Sequence, residues 1–62
     1  HSTEDLLKES LSHEEKAISL YKKLLSCSEN LSLYIEEYSR EMIKTEEMHS
    51  IEIQKMLRDY EK

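Results

Sequence analysis

A chain of 62 residues with 37% hydrophobic and 37% charged content has room for one small unit and no second domain. Its net charge of −5, from 14 acidic and 9 basic side chains with no basic stripe, excludes nucleic acid as an expected partner, because phosphate binding needs a basic surface. No apolar run is long enough to span a bilayer and no signal-peptide pattern opens the sequence, so no membrane partner is expected and the expected compartment is the cytoplasm.

Glycine and proline are both absent, and the remaining composition favours long helices over strands and tight turns. The expected fold is all-α: residues 1–62 form a single helical hairpin, with helix 1 at about 3–27, a turn at about 28–30 and helix 2 at about 31–61. His1 stands where a Met would begin an unprocessed chain, as expected of a processed form or a domain of a longer protein. Helix 1 can be capped by Ser2 or Thr3, with Glu4 and Asp5 favourable at the positive end of the helix dipole. Along it a 4-3 repeat sets Leu7, Leu11, Glu14, Ile18, Tyr21 and Leu25 on one stripe. Glu14 interrupts an otherwise apolar line. His1 and His13 are expected in solvent.

The apolar rhythm breaks once, at Ser26 to Leu31, where cap-type residues cluster and the chain folds back. Cys27 sits there as the one cysteine, which rules out an internal disulfide or a Cys-x-x-Cys pair and leaves a surface or half-buried thiol suited to a reducing compartment. Ser28, Asn30 or Ser32 can cap helix 2. Its repeat runs Ile35, Ser39, Met42, Glu46, His49, Ile53, Met56 and Tyr60, so Glu46 and His49 are expected on the inward stripe. Met42, Met48 and Met56 read as gap-filling side chains, since no His or Cys set accompanies their spacing.

With Asn30 as midpoint, Glu14 lies 16 residues before it and Glu46 16 after it, so an antiparallel hairpin puts both about 24 Å from the turn and level with each other. Residues i and i+3 share a helix side, so His49 joins Glu46 at that level. A buried carboxylate is costly unless paired, hydrogen-bonded or bound to a metal, and two carboxylates with an imidazole make a half-site for a transition metal. Two helices bury only one seam, while Leu6, Ala17, Leu20, Leu24, Leu31, Tyr34 and Tyr38 widen the apolar stripe beyond it. The hairpin is therefore expected to form at least a homodimer. Paired about a two-fold axis, two hairpins bring together four carboxylates and two imidazoles, the set that holds two iron or manganese ions in four-helix bundles.

These residues carry a family resemblance. Glu14-Glu15-Lys16-Ala17-Ile18-Ser19-Leu20-Tyr21 looks like a Glu-x-x-Ala-x-x-x-Tyr first helix, and Glu46-Glu47-Met48-His49 like a Glu-x-x-His second helix. Over about residues 7 to 57 the chain resembles the ferritin-like superfamily of di-iron carboxylate proteins, in particular short two-helix members such as encapsulated ferritin. The resemblance implies a ferritin-like four-helix bundle built by dimerisation, with two irons per subunit pair held by Glu14, Glu46 and His49. It implies Tyr21 beside the site as a hydrogen-bond donor or redox neighbour. The implied activity is ferroxidase, oxidation of Fe(II) by dioxygen for iron storage or detoxification, in a homodimer or higher homo-oligomer, with an encapsulating shell protein as a possible partner and a protein nanocompartment as a possible location. His13 and Lys16 stand where encapsulated ferritins place acidic residues of an iron entry route, and no such route is carried over. Two other readings stay open on the same residues: a metal-free helical-hairpin interaction module that uses Glu14, Glu46 and His49 as a buried polar network, and a di-iron protein with a peroxidase or sensing role.

Overall fold

In the computed structural model, which describes residues 2–60, two α-helices lie antiparallel: α1, Thr3–Ser28, and α2, Leu33–Tyr60. Each helix begins where the sequence supplies a cap. The Ser2 hydroxyl accepts from the Asp5 backbone N–H at 3.1 Å, with Glu4 and Asp5 in the first turn, and the Ser32 hydroxyl accepts from the Ile35 N–H at 3.3 Å. Between them the reversal is tight. The N–H groups of Leu31 and Ser32 both donate to the Ser28 carbonyl, and Asn30 takes φ 66°, the left-handed conformation that Asn tolerates better than most side chains. The second helix thus begins two residues later than expected, because Leu31 and Ser32 close the turn and the cap. The expected end at residue 61 and the expected exposure of His1 lie outside the described residues.

The hairpin measures 47 × 17 × 11 Å. Side chains buried between the helices are few and small: Ser28, Ser39, Ser50 and, as the single buried apolar residue among those described, Ile53. Serines at this spacing let the helices approach closely, with half-buried Leu7, Leu11, Tyr21, Leu25, Ile43 and Leu57 filling the sides. In α2 the inward stripe is rotated from the expected one. Ser39, Met42, Glu46 and Ile53 point in as expected, whereas Ile35, His49, Met56 and Tyr60 are exposed and Ile43, Ser50 and Leu57 take their places. The cause is geometric: a strict 4-3 repeat offers a broad stripe of two adjacent edges, and a single partner helix covers only one of them.

The other edge remains open. At 100° per residue, Leu6, Ala17, Leu20 and Leu24 of α1 and Ile35, Tyr38, Met42 and Met56 of α2 fall on the same broad face of the hairpin. The opposite face carries Glu47 and Lys22 around Ile18, Ser50 and Ile51, which line a shallow groove spanning both helices. The hairpin exposes 4926 Å², against about 4,200 Å² for a compact monomer of 7.5 kDa. Among the described residues, no helix is long and apolar enough to cross a membrane.

A candidate metal site between the helices

Glu14 on α1 and Glu46 and His49 on α2 meet midway along the hairpin, each offering one donor atom, and these atoms all lie within 4.8 Å of one another. The equal offset of Glu14 and Glu46 from Asn30 is the reason, and the Tyr21 and Tyr38 rings, in contact at 6.2 Å between centroids, show the same register. Burial differs across the set. The side chains of Glu14 and Glu46 are 20% and 15% exposed, while that of His49 is 48% exposed. His49 therefore stands at the rim, on the apolar face, and only the two carboxylates occupy the seam.

The His49 Nδ1 atom is 3.8 Å from Glu14 Oε2 and 3.8 Å from Glu46 Oε1. Such separations are too long for hydrogen bonds. Two atoms each bound to one ion at about 2.1 Å lie at most about 4.2 Å apart, so the two His49 distances suit a single ion, while a set spanning 4.8 Å would draw in slightly to bind it. Nδ1 faces both carboxylates, so ligation through it leaves Nε2 to carry the imidazole proton.

Glu14 Oε2 is shut off from solvent with no hydrogen-bond partner. Its neighbour Glu46 is another carboxylate, to which a protonated Glu14 can donate and an ionised Glu14 cannot. That hydrogen bond first, then burial, then the negative charge of Glu46 raise the Glu14 carboxyl above its ordinary value, while His49 and His13 pull it back. A buried carboxylate oxygen without a donor, aimed at a second carboxylate and an imidazole nitrogen, is what a divalent cation relieves. The donor set of two oxygens and one nitrogen fits iron, manganese or zinc.

Tyr21, two turns along α1 from Glu14, packs edge-on against Tyr38 at an interplanar angle of 73°. The Tyr38 hydroxyl, burial and the negative charge of Glu46 together raise the Tyr21 phenol above its ordinary value. Tyr21 thus stands beside the carboxylates with Tyr38 as its immediate partner. In the sequence Tyr38 stands out only as flanking apolar surface, although its level with Tyr21 follows from the same offset that pairs Glu14 with Glu46. Cys27 is exposed in the last turn of α1, remote from the site in sequence, and Met42, Met48 and Met56 join no His or Cys cluster among the described residues. No protein-family model matches the chain, and neither a curated protein nor a solved structure matches it.

Proposed function

We propose that the hairpin is half of a ferroxidase: two copies pair through their apolar faces into a ferritin-like four-helix bundle and share a di-iron site made by Glu14, Glu46 and His49 of each. The observation that carries this reading is the buried, partnerless Glu14 Oε2 beside Glu46 and His49. The position of His49 adds to it. A rim ligand on the face that lacks a covering partner is where a second subunit's donors complete the coordination.

Iron is the substrate. Two ferrous ions give one electron each to dioxygen, which with two protons leaves as hydrogen peroxide. The residues of this chain do the placing. Glu14, whose carboxyl is held above its ordinary value beside Glu46, gives up its proton when a cation binds, and the negative charge of the pair then favours the more highly charged ferric product. His49 contributes a neutral nitrogen through Nδ1, and the helix scaffold keeps the three donors at one level. Storage or detoxification of iron in the cytoplasm, alone or inside an enclosing protein shell, is the setting in which this chemistry serves.

One observation favours a second reading. With His49 protonated, its 3.8 Å contacts to both carboxylates form a closed charge network that would fix helix pairing without any metal, as in an interaction module. Fe(II) oxidation separates the two. The purified chain under air is expected to convert Fe(II) to Fe(III) well above the rate of buffer, with Glu46→Ala at the buffer rate. Equal rates for both proteins would remove the ferroxidase reading. Substituting hydrogen peroxide for dioxygen tests the peroxidase alternative in the same assay.

A further inference from the structure

We infer that the hairpin pairs with another copy of this chain through the face opposite the apolar one, about a two-fold axis that runs across the helices. Two grooves meet on that face. One is lined on α1 by Glu15, Ile18, Ser19, Lys22, Lys23 and Ser26, and the other spans both helices between Ile18, Lys22, Glu47, Ser50 and Ile51. They share Ile18 and Lys22, so the surface is continuous. Glu15 and Lys22 are seven residues apart on α1, as are Arg40 and Glu47 on α2. Seven residues make two turns, so each helix points one acid and one base out of this face, about 10 Å apart.

The antiparallel register decides how these four charges are arranged. With Glu14 against Glu46 and Tyr21 against Tyr38, Glu15 and Glu47 stand within one turn of the same level, and so do Lys22 and Arg40. The face thus carries an acidic pair towards mid-hairpin and a basic pair towards the turn, with half-buried Ile18 and Ile43 between them. A copy laid on it parallel would set acid on acid and base on base. Turned end for end about the level of Ile18 and Ile43, it sets Glu15 on Lys22, Glu47 on Arg40 and each isoleucine on its own counterpart, with both ion pairs repeated by symmetry. Within the chain these charges have little to hold them. Glu15, Lys22 and Glu47 form no ion pair among the described residues, and the residues three and four places from Glu15 and Lys22 along α1 are all Leu, Ile or Ser. Arg40 is held only by surface contacts to Glu36 and Glu37 at 3.7 and 3.5 Å. The 47 Å by 17 Å outline of the hairpin gives the face roughly the 800 Å² per partner of a standard interface. The contact uses none of Glu14, Glu46 and His49, and two different isologous faces back to back carry assembly beyond two chains.

The test is the solution mass of the full chain at about 50 mM salt and at about 1 M, where surface charges are screened. Wild type is expected to hold more chains at low salt than at high. Glu15→Lys/Glu47→Lys, which makes the face wholly basic, and Lys22→Glu/Arg40→Glu, which makes it wholly acidic, are each expected to keep the high-salt mass at low salt, and an equimolar mixture of the two to regain the larger one. Exchanging the charges within one chain, Glu15→Lys/Lys22→Glu/Arg40→Glu/Glu47→Arg, leaves the net charge unchanged and is expected to restore the wild-type mass, as end-for-end pairing requires. Circular dichroism confirms that every variant keeps its helices. A wild-type mass unmoved by salt, charge-reversed variants that match wild type at low salt, or an exchanged variant that fails to assemble would overturn the contact. Two chains at low salt that become one at high salt would support it while removing the apolar pairing of the proposed ferroxidase.

Discussion

Glu14 is the residue on which the site turns. Its folded-state value is raised, so its protonated form is favoured by folding: the stability it contributes is present below the unfolded value near 4.5 and is lost as pH rises through the raised folded value. Glu14→Gln removes that loss. In chelator, the variant is expected to melt a few degrees above wild type at neutral pH, the gap closing as the solution is acidified below the range in which Glu14 titrates; a gap independent of pH would show that folding does not raise the Glu14 carboxyl. Under the proposed site, divalent metal is expected to reverse the order, stabilising only the chain that keeps Glu14, Glu46 and His49. A hundredfold excess of ferrous or manganous ion over its dissociation constant is expected to add about 2.7 kcal/mol to wild type and nothing to Glu14→Ala, Glu46→Ala or His49→Ala. Thermal melts with and without metal read this directly. Ser39 gives a contrasting case, since its fully buried hydroxyl has no hydrogen-bond partner among the described residues and lies outside the Glu14, Glu46 and His49 cluster. Ser39→Ala is expected to be neutral or slightly stabilising, whereas Ser39→Leu would force the helices apart at a cost of roughly 1–3 kcal/mol.

At the scale of the helices, most of the structure was legible in the sequence. The absence of Gly and Pro, the single break in apolar rhythm and the Ser caps locate both helices to within two residues of where they run. Equal spacing of Glu14 and Glu46 from Asn30 placed them level, as the structure has them. The rotation of α2 was not legible. A heptad repeat marks two adjacent edges as apolar, and nothing in the order of residues says which edge the first partner takes, so His49 was expected inward and stands at the rim. Ser50, a polar residue by composition, is buried because close helix approach favours small side chains there. The caps yield a plain prediction: Ser2→Ala and Ser32→Ala each cost about 1 kcal/mol, measured by chemical denaturation, since each strips an acceptor from a first-turn N–H.

For the whole molecule, an isolated hairpin with one buried apolar side chain among the described residues and a broad face of exposed Leu, Ile, Tyr and Met lacks a core of its own. Its stability is expected to depend on protein concentration, with a melting temperature that rises over a hundredfold concentration series. Leu20→Lys/Leu24→Lys, both exposed on that face of α1, is expected to abolish the rise and the pairing together. Concentration-independent melting at the mass of a single chain would mean that the hairpin is self-sufficient. The central claim is that two chains share one di-iron site. It is tested most directly by metal analysis of the purified protein alongside its mass in solution, with and without added ferrous iron under air. About one iron per chain, bound by a species of at least two chains that iron promotes, is the result expected from two ligand sets meeting across the apolar face. No bound metal and no change in assembly would contradict it, and Glu14, Glu46 and His49 would then be a polar network that fixes helix pairing.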